Sequence, residues 1–394
     1  MRFALLGDHP DGIDMARALV ASGRHLLRVY SGSALGRSQL QHHGLDPRTI
    51  GDLEEVLADD EIDAVIVAGG PSARAAQLRR ALQSECHVLC VHPADPSPDV
   101  AYEAALIQAD TGRVLLPLLP AALHPGILRL AQLVQTEASV RLIEMETWST
   151  EEVLLDSAHE GHKPGLPAWD MLRTLGGEVG EVFVQTPRAE VCAGDALLVL
   201  GRFVNGMLFQ AAYLPNQAEA HMRISLVSTT GRANLVFAHG FPGQAQLSYL
   251  DDKGESRGES WDIFHPWLAL VERFEQALTR TTIKRPQPGQ LADECLTKPQ
   301  PLLGWQDALR ALELDDAVRR SAERGRSSTL DHQEATEEAS FKGTMTLVGC
   351  SLIWLAVTML ILSVWVPWLV WLIVPVFGVF LVMQALRWVV PAKS

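Results

Sequence analysis

Short apolar runs and amphipathic stretches alternate through the first 120 residues of the chain. Arg2 to Leu6, Leu26 to Tyr30, Asp63 to Ala68, His87 to Val91 and Arg113 to Leu118 are β-type runs. Ile13 to Ser22, Ser72 to Ser84 and Ser97 to Asp110 carry helical spacing between them. Strands alternating with helices of this size predict a parallel, doubly wound sheet. From about Arg141 the pattern changes. Val140–Trp148, Val179–Pro187, Ala196–Phe203, Met207–Tyr213, Met222–Ser228 and Asn234–Ala238 are strand-like, with turns such as Asn205-Gly206 and Asp252-Lys253-Gly254 between strands. This predicts an open, mostly antiparallel sheet. Pro266–Leu278 and Gln306–Glu323 read as helices covering one of its faces. The expected organisation is an α/β domain over residues 1–120, an α+β domain over 121–326, a polar linker over 327–343 and a membrane hairpin over 344–390.

The hairpin rests on a run from Met345 to Val390 whose one charged residue is Arg387. A bilayer core needs about 20 apolar residues per helix, and two such spans fit, roughly Thr344 to Val364 and Pro367 to Leu386. Pro367 suits the first turn of the second helix, and a membrane span tolerates Pro375 and Gly378. Trp365, Trp368 and Trp388 would sit at the interfaces. Basic residues precede the first span (Arg319, Arg320, Arg324, Arg326, Lys342) and follow the second (Arg387, Lys393), while the turn has none. The positive-inside rule then places both termini and the preceding domains on the cytoplasmic side of the inner membrane, with the lipid bilayer as a partner through residues 344–390.

Charge narrows the remaining partners. The net charge is −14, and only three of the 33 basic residues and none of the acidic ones follow Phe341. The part before the hairpin is therefore more acidic still, which repels phosphate backbones and excludes nucleic acid as an expected partner. Five scattered cysteines without paired C-x-x-C spacing read as free thiols in a reducing compartment. Met1-Arg2-Phe3 runs directly into the first strand, so no signal peptide is expected. The histidines lack ligand spacing, so no metal is expected.

The turn after the first strand, Gly7-Asp8-His9-Pro10-Asp11-Gly12, carries the most specific chemical signal. The dinucleotide fingerprint is G-x-G-x-x-G: a glycine for the turn, one for approach of the pyrophosphate and one for helix–strand packing. Gly7 and Gly12 hold the first and third places and His9 the second. Pro10 has no N–H to give a phosphate. The fold signal survives while the cofactor signal is weakened.

In order and spacing these elements resemble the Gfo/Idh/MocA oxidoreductases, over roughly Met1 to Arg326. The resemblance rests on the Gly7 to Gly12 turn, Asp63-Ala-Val-Ile-Val-Ala-Gly-Gly-Pro71, His87-Val-Leu-Cys-Val-His-Pro93, Ala168-Trp-Asp170, Val204-Asn-Gly206 and Trp305-Gln-Asp-Ala-Leu. It implies an NAD(P)-binding Rossmann-like domain followed by an α/β domain whose open sheet often forms homo-oligomers. It also implies hydride transfer at a CH–OH group of a sugar, inositol or related polyol. Several positions depart from the family pattern. Val91-His92-Pro93 stands where members have Glu-Lys-Pro, and Gly165-Leu-Pro167-Ala-Trp-Asp170 where they have G-x-H-x-x-D. Tyr30-Ser31-Gly32-Ser33 replaces the carboxylate that binds the ribose hydroxyls. Ser31, Ser33 and Arg37 could receive a 2′-phosphate, so a bound dinucleotide is expected to be NADP rather than NAD, and the departure is equally compatible with no cofactor at all.

His92, at the end of an apolar strand, is the first candidate for proton transfer. Asp170 could orient a base or bind a substrate hydroxyl, and Lys163 could stand in for the family lysine. His159, His162 and His124 are weaker candidates. Gly7, His9, Gly12, Ser31, Ser33 and Arg37 are the candidate cofactor contacts. Two functions fit: a membrane-anchored, divergent NAD(P)-dependent oxidoreductase, or a non-catalytic nucleotide-sensing or scaffolding relative.

Overall fold

A computed structural model describes residues 1–136, 139–150, 169–188, 194–251, 256–283 and 304–330. Lys163, His159, His162, Pro167 and the expected hairpin over 344–390 lie outside them. Among the described residues no helix is long and apolar enough to cross a membrane.

The N-terminal part builds β1 (Arg2–Leu6), α1 (Pro10–Ala21), β2 (Leu26–Ser31), α2 (Ala34–His42), β3 (Arg48–Thr49), α3 (Leu53–Leu57) and β4 (Ala64–Val67). It continues with α4 (Pro71–Gln83), β5 (His87–Cys90), α5 (Pro98–Thr111) and β6 (Leu115–Pro117). The six strands are parallel and lie in the order β3-β2-β1-β4-β5-β6. The strand order reverses between β1 and β4, so the loops after these two strands diverge and leave a crevice at their C-terminal ends. Ala4, Leu6, Val65, Val67 and Val88 face one layer of helices, and Phe3, Leu5, Ile66 and Leu89 face the other. Burial on both faces accounts for strands that read as unbroken apolar runs.

A 3₁₀ turn at Ala121–Leu123 leads into α6 (Pro125–Thr136), β7 (Val140–Trp148), α7 (Trp169–Gly176), β8 (Val179–Gln185) and β9 (Leu197–Phe203). Then come β10 (Leu208–Leu214), β11 (His221–Ser228), β12 (Gly231–Phe237), β13 (Ala245–Asp251), β14 (Ser256–Trp261), α8 (Pro266–Ile283), α9 (Trp305–Arg324) and β15 (Ser328–Thr329). Nine strands form the second sheet, in the order β14-β13-β12-β11-β7-β10-β9-β8-β15. It is mixed: β10 runs parallel to β7 and the other pairs are antiparallel. Ile143, Met145, Phe209, Ile224 and Leu235 point from it into a core shared with Ile127, Leu172 and Leu314. On the opposite face Arg223 meets Glu146 at 2.5 Å and Arg232 pairs with Glu144.

The two late helices depart from the expected layout. Helix α8 packs Leu270, Val271 and Phe274 on the first sheet, beside Phe3 and Leu5. Helix α9 splits its apolar face. Trp305, Leu309 and Leu312 join the core of the first sheet, and Leu314, Ala317 and Val318 that of the second. An amphipathic stripe shows that a helix must bury one face and leaves open which sheet receives it.

Candidate active site

The crevice starts at Gly7, which follows β1 with φ +103° and donates its N–H to the Ser31 carbonyl at 2.7 Å. A Cβ here would lie 2.3 Å from the Ala68 carbonyl oxygen, so a side chain would drive β1 and β4 apart. A Cβ on Gly12 would lie 2.3 Å from the Ala68 Cβ, so this glycine lets α1 sit tightly on the end of β4.

His9 caps α1. Its Nδ1 accepts from the Asp11 N–H at 3.2 Å, while its carbonyl accepts from the Gly12 N–H at 2.9 Å and the Ile13 N–H at 3.1 Å. Pro10 opens the helix without an N–H. The helix therefore has no free amide at positions 10 to 13 for an anion, although a helix N-terminus is ordinarily a ready anion site. Asp11, in the same turn, adds negative charge.

The loop after β2 is organised by Asp8. Its carboxylate accepts from the Ser33 N–H, at 3.1 Å on Oδ1 and 3.0 Å on Oδ2, and Oδ1 also bonds the hydroxyl of buried Tyr30. Burial, followed by the neighbouring Asp8 carboxylate, holds the Tyr30 phenol well above its ordinary value. Ser33 caps α2, its Oγ accepting from the Gly36 N–H at 3.2 Å. Arg37 is half-exposed, with Nη2 3.9 Å from Asp46. Ser31 lends its carbonyl to Gly7, so its part in the turn is a backbone one.

Past β5, His92 is half-buried and joined to Pro93 by a cis peptide bond. Burial first, and then the cation of Arg74, push its imidazole down to about 4. Arg74, on α4, is only 3% exposed. Its Nε donates to the Gly69 carbonyl at 3.0 Å and its Nη1 to the Pro93 carbonyl at 2.5 Å. One guanidinium thus ties the loop after β4 to the loop after β5, at the strand ends where doubly wound sheets bind ligands. Burial lowers its pKa. Cys90 is buried beneath, its thiol pushed up to about 12 by burial and so unreactive.

Asp170 belongs to α7, under the second sheet, and is 5% exposed. Its Oδ2 accepts from the Ala122 N–H at 3.1 Å, and burial pushes its carboxyl up to about 6. It shares no hydrogen bond with His92. His124 is fully buried: Nδ1 accepts from the Gly126 N–H at 3.0 Å, and Phe237, Phe241, Trp261 and Phe264 surround the ring. Its Nε2 has no hydrogen-bond partner, and burial pushes the ring down to about 4. Among the described residues no group of three or more His, Cys, Asp or Glu side chains is placed to hold a metal ion.

Three residues with evident roles at this edge, Asp8, Tyr30 and Arg74, escaped the sequence reading. Asp8 stands inside the fingerprint, and Arg74 lies in the first turns of the helix after Gly69-Gly70. Both positions were visible, and their partners were not.

Residues 15–117 match the family described as oxidoreductase family, NAD-binding Rossmann fold, Gfo/Idh/MocA. The matched residues lie within the six-stranded N-terminal sheet and its helices. The D-xylose 1-dehydrogenase (NADP(+)) 2 of Haloferax volcanii is 22% identical over 343 residues, spanning 84% of this chain and 100% of that protein. A probable dehydrogenase from Thermotoga maritima superposes with a TM-score of 0.62 at 18% identity, over 84% of this chain and 99% of its own. Levoglucosan dehydrogenase, in complex with NADH and levoglucosan, does so with a TM-score of 0.66 at 13% identity, over 84% and 99%. At these identities the likeness is one of fold, and it runs through both sheets. His92, close enough to feel the Arg74 cation, stands where the resemblance to that family leads one to expect a lysine.

Proposed function

We propose that the chain is a divergent NAD(P)-dependent dehydrogenase acting on a CH–OH group of a sugar or polyol, tethered to the cytoplasmic face of the inner membrane by residues 344–390. The observation that carries the catalytic part is the buried Arg74 guanidinium at the strand ends beside His92, within a Rossmann sheet. The residues present fit a dinucleotide. Bare backbone at Gly7 lets the turn close against the end of β4, Asp8 and Ser33 lie at the end of β2, and Arg74 places a cation at the ends of β4 and β5. The nicotinamide group, when bound, accepts or gives the hydride.

His92 stays deprotonated at neutral pH and so is free to accept the hydroxyl proton of an alcohol substrate. Efficient general bases have pKa values near the operating pH. Burial and Arg74 move His92 away from that optimum, so its assistance falls at the low end of the usual range, about 10²-fold. Arg74 offsets part of this loss, because a fixed cation favours an alkoxide over an alcohol.

The test is reduced-nicotinamide formation by the full-length chain over a panel of aldoses, anhydrosugars and inositols with NAD and NADP. Turnover of one member, lowered by His92→Ala, supports the reading. The weak basicity of His92 also favours a second reading, a relative that binds the dinucleotide without turning it over. Saturable NADH binding with no turnover of any panel member would select it. The tether rests on the charge-poor run from Met345 to Leu386. Release of the intact chain from membranes by alkaline carbonate would overturn it.

A further inference from the structure

We infer that Asp8 is the residue that selects the dinucleotide, and that it selects NAD(H) over NADP(H). The inference rests on the dinucleotide reading above and deepens it. Rossmann domains that take NAD place a carboxylate at the end of the second strand, where it accepts from the ribose 2′-hydroxyl. Here β2 ends at Ser31, and Tyr30-Ser31-Gly32-Ser33 supplies no carboxylate. The fold delivers one from another strand. Asp8, which follows the Gly7 turn, reaches across to the loop after β2 and is held there by Ser33 and Tyr30.

Three features make this a built arrangement. Both carboxylate oxygens accept from the Ser33 N–H, which lies two residues beyond the end of β2. The Tyr30 hydroxyl comes from a fully buried ring, so the clamp has a rigid side. A Cβ on Gly36 would lie 2.2 Å from both Asp8 Oδ1 and the Tyr30 hydroxyl, so the first turn of α2 is kept bare to admit the pair. Asp8 is half-buried, and its Oδ2 has one partner, which leaves acceptor capacity for a hydroxyl.

The same geometry disfavours a 2′-phosphate. The Ser33 N–H is already on Asp8. The Ser33 hydroxyl, which accepts from Gly36, and the exposed Arg37, 3.9 Å from Asp46, are left as donors, and Asp8 stands beside Ser33. The phosphate would also meet a carboxylate, and like charges in contact repel strongly in a part-buried site. Asp8 thereby reverses the NADP preference that Ser31, Ser33 and Arg37 would suggest without it.

The test is fluorescence titration of the full-length chain with NADH and with NADPH, each binding curve paired with a thermal-unfolding trace. The wild type is expected to bind NADH at least about tenfold tighter than NADPH. Asp8→Asn keeps an acceptor toward Ser33 and Tyr30 but removes the charge. It should tighten NADPH and bring the ratio to within about threefold of unity. Tyr30→Phe leaves the charge in place and should keep the preference for NADH. A wild type that binds NADPH as tightly as NADH overturns the assignment while the dinucleotide reading stands, and so does an Asp8→Asn variant with an unchanged ratio. Should Asp8→Asn fail to fold, the wild-type and Tyr30→Phe ratios decide alone. A folded wild type that binds neither dinucleotide overturns the dinucleotide reading and this inference with it.

Discussion

Gly12→Ala should destabilise the protein, and Ala68→Gly should rescue it. The new Cβ would lie 2.3 Å from the Ala68 Cβ and 3.4 Å from Leu5 Cδ1. Carbon atoms rest about 3.5–4.0 Å apart, so α1 must lift by more than an ångström from the end of β4. That movement also stretches the 3.0 Å bond from the His9 N–H to the Ala68 carbonyl. Overpacking of this kind costs about 1–3 kcal/mol, and a turn pinned at both ends belongs at the upper end. Replacing glycine by alanine in a helix returns about 1 kcal/mol, leaving a net loss of about 2 kcal/mol. Ala68→Gly alone should lose about 1.5 kcal/mol, from one buried methyl and added chain freedom. In the double variant the two methyls have exchanged places and the clash is gone. Its stability should lie within about 1 kcal/mol of the wild type, a coupling of about 3 kcal/mol, large even for residues in contact. Urea unfolding followed by tryptophan fluorescence measures all four corners of the cycle. Gly7→Ala is the control. Its nearest neighbours are backbone atoms of Ala68 and Gly69, and its φ is +103°, so Ala68→Gly should give no rescue. Additive losses for Gly12→Ala and Ala68→Gly, or equal rescue of Gly7→Ala, would refute the reasoning.

Other perturbations follow from the same geometry. Asp170 sits at about 6 against an ordinary 3.8 because it is buried, a difference worth about 3 kcal/mol. Since its folded value is raised, that stability is full below about pH 4 and lost as pH rises through 6. Asp170→Asn should therefore gain on the wild type between pH 4 and 7 in urea titrations, and a pH-independent difference would count against it. His87 and His124 have the opposite sign: burial pushes each down from 6.5 to about 4, so their contribution is present above 6.5 and disappears as pH falls toward 4. Histidine ¹³C NMR should show neither ring titrating above about pH 5, and His124→Phe should flatten the acid limb of the stability profile. Arg74→Met removes two charge-assisted hydrogen bonds and the one buried guanidinium that joins the loops after β4 and β5. It should weaken NADH by about 10–100-fold in the fluorescence titration, and unchanged affinity would remove Arg74 from the site. His92→Ala should lower turnover by about 10²-fold and leave NADH affinity nearly unchanged.

What was legible in the sequence follows from what local pattern encodes. Apolar runs bounded by turn residues marked β1, β4, β5 and β7 to within a residue or two, because strand burial on two faces or one leaves its own periodicity. Gly7 and Gly12 were recognised as turn and packing residues because only glycine tolerates those approaches. The same reading recognised His92 and Asp170 as ionisable groups near strand and helix ends. It had no access to their protonation, which depends on how many other atoms shield them from water. The partners also lay beyond it. Asp8 meets Tyr30 and Ser33, 22 and 25 residues away, and Arg74 meets Pro93, 19 residues away, because parallel pairing brings the ends of distant strands together. Helix α8 likewise returns more than 260 residues along the chain to cover β1. Periodicity specifies that a face is buried, and the tertiary structure decides against what. In this chain, that decision sets where the charges of the candidate site stand.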